Sequence, residues 1–308
     1  MGRYIGLAKE SNYGEGVAPT VFMRVLSESI QYNPNYIYHR TIEGGRKLQT
    51  AQSAKKQSVG SIKFIPVYDH GLGEILHMLL GKVTSSEEEA GVRYKHVFEP
   101  AESLNDLASY TIEKGLDDIT GERYAGCCVS KLKLTAKPAD FLVIDADTFG
   151  KKPELVQLAT PSFSNQDYIT SGHTSIQTLN GLNVAFEEFS IEIQGGIVPR
   201  FTSSSDEIHG LDLEPINVTA SFTSRFRNIQ DLQEFLDGIE KSFVCKWQGP
   251  ALGNANYSLT IELPRLNFDE GDIAINEQER LMQVRNVTAL DSPSGLIKVT
   301  LENGKMNY

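Results

Sequence analysis

The chain has 308 residues, of which 40% are apolar, so it is long enough for two domains with packed cores. Its net charge of −11 argues against a general nucleic-acid binder, because binding to phosphates needs a basic surface. Three cysteines are too few for a disulfide scaffold. The chain does not open like a signal peptide, and no apolar run reaches the ~20 residues of a membrane span. We therefore expect a soluble chain with no membrane partner.

The first long feature is a polar segment at residues 32–60, which exceeds an ordinary connection inside a compact domain. A second long segment, near residues 198–215, is acidic instead, and "SSEEE" at 85–89 forms another acidic loop. The first segment has a single acidic residue, Glu43, so these exposed segments differ in sign. The charged side chains of interest are Arg40, Arg46, Lys47, Lys55 and Lys56 in the basic segment and Glu87, Glu88 and Glu89 in "SSEEE".

The stretch "DHGLGEILHMLLG", residues 69–81, has a Gly-x-Gly between a predicted strand and a predicted helix. A dinucleotide fingerprint needs a third glycine, and Leu76 stands at that position. The Gly-Lys-Ser/Thr of a Walker loop is missing as well. The histidines form no zinc motif, and no nucleophile motif is present. We predict a turn into a helix, no metal or cofactor, and no enzymatic activity.

Strand-like alternation dominates the remaining sequence. In "FSIEI" and "NVTASFT", apolar residues alternate with polar ones, and "SKLKLTAK", "YSLTIEL" and "GLIKVTLENG" repeat the pattern. One buried face and one wet face are typical of antiparallel sheets in a sandwich or barrel. The sequence therefore predicts a mainly β protein.

Two segments have helical spacing, residues 72–80 and "NIQDLQEFLDG" at 228–238. Gly81 follows the first and Gly238 lies near the end of the second, and glycines at such places favour a helix end. A shift of 157 positions superposes their apolar residues, and each helix lies between two predicted strands. We interpret this order as two copies of one unit. The predicted packing residues are Leu72, Ile75 and Leu79 in the first helix and Ile229, Leu232 and Leu236 in the second.

Several stretches resemble the tail tube proteins of long-tailed bacteriophages. "KESNYGEGVAP" is similar to the family's opening block, and "SVGSIKFIPVYDHGLGEILHMLLGKVTSS" followed by "YKHVFEP" is similar to its central block. "NVTALDSPSGLIKVTLENG" is similar to its closing block. The order and spacing of these blocks carry the resemblance, which covers most of the chain.

The resemblance implies two tandem tail-tube-type β-sandwich or barrel domains, each with one flanking helix, which we place at residues 1–165 and 166–308. It implies a major tail tube subunit whose copies form homotrimeric, pseudo-hexameric rings, or alternatively hexamers, stacked into a tube. The lumen would hold the tape-measure protein and later phage DNA, with tail-tip and tail-terminator proteins at the ends. The chain would assemble in the host bacterial cytoplasm and reside in the virion tail, and its basic segment would meet acidic residues of the next ring.

Two other classes of function remain open. A tandem β-sandwich adhesin or minor tail component would expose clustered aromatic residues on loops, and Tyr32, Tyr36 and Tyr38 form such a cluster. An enzyme that used residues 69–81 as a phosphate loop would be stabilised by nucleotides. The first alternative is a binding protein and the second a catalyst, so they predict different ligands.

Overall fold

A computed structural model describes residues 3–225, 229–270, 273–274 and 282–308. This part of the chain is mainly β. Its helices are α1 (Leu72–Leu80) and α2 (Ile229–Leu236), with short 3-10 turns at Ile42–Gly44, Leu104–Asp106 and Ser171–His173. The strands are β1 (Ile5–Lys9), β2 (Val21–Met23), β3 (Ser27–Glu28), β4 (Gln31–Asn33), β5 (Tyr36–His39), β6 (Thr50–Ser53), β7 (Gln57–Phe64), β8 (Gly81–Glu89), β9 (Arg93–Pro100), β10 (Tyr110–Leu116), β11 (Thr120–Ala136), β12 (Val143–Gly150), β13 (Glu154–Val156), β14 (Thr174–Leu179), β15 (Leu182–Asn183), β16 (Glu188–Gln194), β17 (Ile197–Thr202), β18 (Ser205–Leu213), β19 (Asn217–Arg225), β20 (Lys241–Leu252), β21 (Ala255–Glu270), β22 (Ile273–Ala274), β23 (Met282–Ala289) and β24 (Lys298–Asn303).

The predicted alternation becomes the two faces of real strands. In β16, Phe189, Ile191 and Ile193 are buried and the residues between them are partly exposed. β19 and the C-terminal half of β11 follow the same rule. Side chains on successive strand residues point to opposite faces, so a period of two gives each strand one apolar face. These predictions of strand position and of a mainly β fold are confirmed.

A continuous layer of the structure runs through both halves of the chain. Its first four strand positions are β3 with β4, then β7, β12 and the C-terminal half of β11. Its next four are β16, β19, β23 and the C-terminal part of β21. The antiparallel pairing of β11 with β16, from Lys131 opposite Gln194 to Ala136 opposite Phe189, joins the two sets. The proposed division near residue 165 therefore coexists with a sheet shared by both halves.

Other strands pair along the long strands β11 and β21 beyond this layer. The N-terminal half of β11 pairs with β10, which leads to β1 and β2. The N-terminal half of β21 lies between β20 and β24, and β24 leads to β9 and β8. One apolar cluster extends through both halves, from Leu7 to Trp247 and Leu301. Two small hairpins, β5–β6 and β17–β18, form sheets of their own.

The two helices lie at matching places in the two halves. Each follows the strand that is second in its set, β7 or β19. α1 contacts β11, β8 and β9, and all nine of its residues are buried. No helix within the described residues is long and apolar enough to cross a membrane.

Candidate assembly surfaces

The shared layer has a polar face opposite the apolar core. On this face Lys63 lies opposite Asp145, Asp145 opposite Lys133, and Lys133 opposite Glu192. The row continues through neutral residues, with Thr219 opposite Thr288. Part of the face is concave, forming a depression of about 600 Å³ whose lining includes these lysines, Asp145 and Glu188. Charges of opposite sign therefore alternate along the row, without a continuous basic strip.

Ion pairs on this polar face bridge β11 and β16. Lys131 Nζ lies 2.8 Å from Glu192, and Lys137 Nζ lies 3.3 Å from Glu188. The hydrogen bond from Lys131 lowers the pKa of Glu192 below its usual value. Partial burial, together with the neighbouring carboxylate of Asp145, raises the pKa of Asp147. The carboxylates of the two bridging pairs lie on β16, and their lysines lie on β11 and directly after it, so the pairs favour the register in which the two halves meet.

The basic segment at residues 32–60 forms the β5–β6 hairpin, in which Tyr36 lies opposite Ser53 and His39 opposite Thr50. Its two faces are largely exposed, with Tyr36 at 56% and Tyr38 at 59% exposure. A two-stranded hairpin is marginally stable alone, so this one needs cover from elsewhere to be well ordered. Arg40, Arg46 and Lys47 are exposed at its tip.

Lys55 and Lys56 contact the acidic segment of the same chain. Lys56 Nζ lies 2.7 Å from an Asp206 carboxylate oxygen, and the Lys56 amide donates to the Asp206 carbonyl at 2.7 Å. Ser53 Oγ also donates to Asp206, and Lys55 Nζ lies 5.5 Å from the centre of the Phe201 ring. The pair raises the pKa of Lys56 and lowers that of Asp206. These two lysines therefore join hairpin β5–β6 to hairpin β17–β18 within one chain.

Glu87, Glu88 and Glu89 lie at the end of strand β8, where it turns into β9. Glu87 accepts a hydrogen bond from the Gly91 amide at 2.7 Å, and Glu88 accepts one from Ser86. Glu89 accepts from the Asn254 amide at 2.8 Å. Across the described ranges, no ion pair joins these glutamates to the basic hairpin, so the predicted contact is not made within one chain.

A sequence profile of the phage tail tube protein family matches residues 2–289 of this chain. The chain belongs to the phage tail tube protein family. It is a structural component of the phage tail, and the mainly β fold agrees with the family. A search of curated proteins finds no match to the chain.

In this tail tube chain the two predicted packing helices differ. Leu72, Ile75 and Leu79 of α1 are buried, whereas Ile229 and Leu236 of α2 are 76% and 67% exposed. The side chain of Leu232 lies outside what the structure describes. The predicted apolar face is therefore buried in α1, whereas Ile229 and Leu236 of α2 are not covered by the described part of the chain.

The two glycines before and in α1 have packing roles in the tail tube chain. Gly71 has φ +83, and a Cβ there would lie 2.4 Å from the Met23 side chain. A Cβ on Gly73 would lie 2.1 Å from the ring of Tyr308. The Gly-x-Gly that resembled a phosphate loop thus allows two side chains to approach the start of the helix.

A buried carboxylate, which the sequence pattern did not single out, organises the family-like opening block "KESNYGEGVAP". Glu10 accepts hydrogen bonds from Ser109 and Thr111 and from the amides of Gly14 and Gly126, at 2.6–2.9 Å. Multiple donors satisfy a buried carboxylate and offset its loss of hydration. The signal for this arrangement in the sequence was Glu10, an acidic residue in an otherwise loop-like stretch.

Proposed function

We propose that this chain is the major tail tube subunit, and that its copies join edge to edge into rings through the strand pairing that already joins its two halves. The observation that carries this proposal is the pairing of β11 with β16. Repeating that contact between copies would close a ring without exposed sheet edges, which otherwise invite aggregation.

Two sheet edges are available for this contact. In the described part of the chain, β3 and β4 pair on one side only, with β7. Residues 267–270 of β21 likewise pair only with β23. These edges are the counterparts of β16 and of the C-terminal half of β11, so one copy offers both halves of the joint.

The strand registers specify which residues would meet. Because Leu132 lies opposite Ile193 at the joint within the chain, the equivalent pair between copies is Phe268 with Ile30, and Asn267 then faces Gln31. Residues that lie opposite one another across the first set of strands are Ile62, Ala146 and Leu132, and those across the second set are Ala220, Val287 and Phe268. We match these two rows in order. Glu28, opposite Ile62, is then equivalent to Ile191, opposite Ala220.

The exposure of Leu26 supports the same register. Its counterpart at the joint within the chain is Phe189, which is buried, lies opposite Ala136 of the neighbouring half and packs against Trp247 of its own half. Leu26 is 57% exposed in a single chain. A neighbouring copy that covered the β3 edge would remove this apolar side chain from water, at a gain on the order of 1 kcal/mol.

Two sheet halves per chain favour a ring of three copies, which would contain six equivalent units, with a ring of six copies as the alternative. The polar face of the shared layer would then line the lumen, and the depression beside Lys63, Lys133 and Asp145 makes part of that face concave. Its alternating charges suit a conduit for the tape-measure protein and DNA, because a continuous basic strip would hold phosphates through counterion release. Tail-tip and tail-terminator proteins would bind the tube ends, after assembly in the host cytoplasm.

Stacking would use the tip of the β5–β6 hairpin. We assign Arg40, Arg46 and Lys47 to this contact, with Glu87 and Glu88 at the β8–β9 turn of the adjacent ring as acceptors. Lys55, Lys56 and Glu89 have partners in their own chain and would support the tip from within. Opposite charges at exposed tips guide such a contact and are weakened by salt.

Designed disulfides test the ring. In the Gln31→Cys, Asn267→Cys variant, oxidation of concentrated protein should link neighbouring copies into closed three-chain products on a non-reducing gel. The native cysteines are buried and do not interfere. The control variant Gln31→Cys, Asp269→Cys is displaced by two residues, to roughly 7–8 Å, and should link poorly. Two outcomes would refute the register. One is equal disulfide linking in both variants, and the other is the absence of disulfide linking in the Gln31→Cys, Asn267→Cys variant when electron microscopy shows that its rings have formed.

A further inference from the structure

The helix α2 has an apolar face that the described chain leaves uncovered. Ile229 and Leu236 are largely exposed, and Ile239 just beyond the helix is 45% exposed. The equivalent residues of α1, Leu72 and Leu79, are fully buried. Because the two helices occupy equivalent places in their halves, what covers α1 indicates what would cover α2.

The turn into the second hairpin covers the C-terminal end of α1. A Cβ on Gly195 would lie 2.5 Å from the Leu79 carbonyl oxygen, so the backbone of this turn lies directly against the helix end. The Gly195 amide donates to the Ser130 carbonyl at 2.9 Å. The hairpin β17–β18 of the second half is thereby held beside α1 of the first half.

Side chains of that hairpin continue the contact. Ile197 and Ile208 are buried in a cluster with Cys128 and Phe149, and Leu107 packs against the same cluster. This cluster includes residues of β11 and β12, which belong to the first half, and of β17 and β18, which belong to the second. The seat of hairpin β17–β18 is therefore on the neighbouring half.

The hairpin β5–β6 is the counterpart of β17–β18. Ser53 and Lys56 join it to that hairpin of its own chain, but Tyr36 and Tyr38 find no apolar cover among the described residues. Both hairpins follow a residue with left-handed backbone, Asn35 with φ 46 and Gly196 with φ 67. Yet Tyr36 and Tyr38 stay exposed, whereas Ile197 is buried. An exposed cluster of aromatic residues on a marginal hairpin indicates a surface that another molecule covers.

We propose that the β5–β6 hairpin of one copy seats beside α2 of the neighbouring copy in the ring, so that Tyr36 and its turn cover Leu236. The inference rests on the proposed ring, because pairing Gln31 with Asn267 brings the following turn onto the second half of the neighbour. The hairpin strands then lie within the ring, and the tip at residues 40–48 stays free to reach the adjacent ring.

The charges of the two surfaces fit this assignment. The segment 229–240 carries four acidic residues and no lysine or arginine, namely Asp231, Glu234, Asp237 and Glu240. The hairpin strands themselves, residues 36–39 and 50–53, carry no acidic residue, because Glu43 and the three Lys or Arg of the segment lie at its tip. The acidic surface of α2 therefore meets no carboxylate on the hairpin strands, whereas two α2 helices in contact would repel each other.

Mixed cross-linking tests the proposal. Copies with Tyr36→Cys and copies with Leu236→Cys are mixed, assembled into rings and treated with a short bis-maleimide. A two-chain product is expected only in the mixture, because each copy alone lacks one of the two thiols. Mixing Leu155→Cys with Leu236→Cys provides the control, since Leu155 is also exposed but lies on β13, outside the hairpin. A product as strong in the control as in the test would overturn the assignment.

Rings of the Gln31→Cys, Asn267→Cys variant, oxidised in parallel, should carry the edge disulfide between positions 31 and 267. If that disulfide forms and the hairpin–helix product does not, the docking of the hairpin is wrong and the proposed ring stands. If neither forms in the rings, both are wrong. As a second readout, Leu236→Ser should leave the melting temperature of the unassembled chain unchanged, because the side chain is exposed there, while reducing ring formation at least tenfold. Unchanged ring formation would also count against the proposal.

Discussion

Gly73 illustrates how a single residue can be read in two ways. As part of a Gly-x-Gly it resembles a phosphate loop, but the Tyr308 ring occupies the space that a side chain at this position would need. Tyr308 also accepts a hydrogen bond from Asn303 Nδ2 at 2.6 Å and stacks edge-on with His96 at 4.7 Å between ring centres. Close packing between residues far apart in sequence cannot be inferred from a local motif, so the packing role of Gly73 could not be predicted.

We expect Gly73→Ala to lower the free energy of unfolding by about 1–3 kcal/mol, because the new methyl group would overlap the Tyr308 ring. Urea denaturation measures this loss. Gly172→Ala is the matched control and should be close to neutral, since a Cβ there meets only Thr170 Oγ1 at 3.5 Å. In a Tyr308→Ala background the Gly73→Ala loss should shrink. An undiminished loss would show that the ring is not its cause.

His77 predicts a dependence of stability on pH. Burial, together with charge repulsion from Lys9, lowers the pKa of this side chain to about 4. The unfolded chain therefore binds a proton near pH 6.5 while the folded chain does not, so the contribution is present above pH 6.5 and is lost as pH falls towards 4. The loss is on the order of 3 kcal/mol.

The variant His77→Gln isolates this contribution. It removes the titrating group but keeps a polar side chain near the Tyr110 hydroxyl, which lies 2.9 Å from His77 Nδ1. The variant should lose less stability than the natural chain between pH 6.5 and 4, as measured by urea denaturation at each pH. Parallel curves for the two proteins would contradict the low pKa.

At the scale of elements, the sequence predicted what is local. Period-two alternation located β16, β19 and the long strands, and helical spacing with a following glycine located both helices. The sequence could not predict that β11 would pair with β16, because strand pairing depends on surfaces brought together only in the folded chain. That pairing is the feature from which the register of the proposed ring follows.

The exposed α2 shows the limit of the repeat. Matching apolar positions predicted two packing helices, and the pattern is the same in both. Whether a helix packs within its own chain or against another depends on which surfaces the fold places beside it, and the spacing of apolar residues does not encode this. An amphipathic pattern therefore indicates that one face of a helix packs against another surface, but it does not identify that surface.

At the scale of the whole molecule, the basic side chains of the β5–β6 segment serve two kinds of contact. One contact lies within the chain, because Lys56 of the basic segment forms an ion pair with Asp206 of the acidic segment. The other is the proposed stacking contact at the hairpin tip, where the exposed Arg46 and Lys47 form no ion pair within the described residues. A test of stacking by reversing Lys55 and Lys56 would disturb the internal contact, so the tip is the better target.

We expect Arg46→Glu to shorten assembled tubes and to reverse their response to salt. In the natural chain, rising salt should weaken the contact between tip cations and the acidic β8–β9 turn, since exposed charges are screened beyond ~10 Å at 0.1 M ionic strength. In the variant the tip repels that turn, and salt should partly restore tube length. Electron microscopy of tube lengths across a salt series measures both effects.

Lys152→Glu serves as the control for Arg46→Glu, because it changes the net charge by the same amount at an exposed position outside the hairpin. Rings should remain intact in both variants, since the edge between β3–β4 and β21 involves neither residue. If the control shortened the tubes as much as the tip variant, net charge would govern stacking. Tubes of natural length and salt response in Arg46→Glu would instead remove Arg46 from the stacking contact.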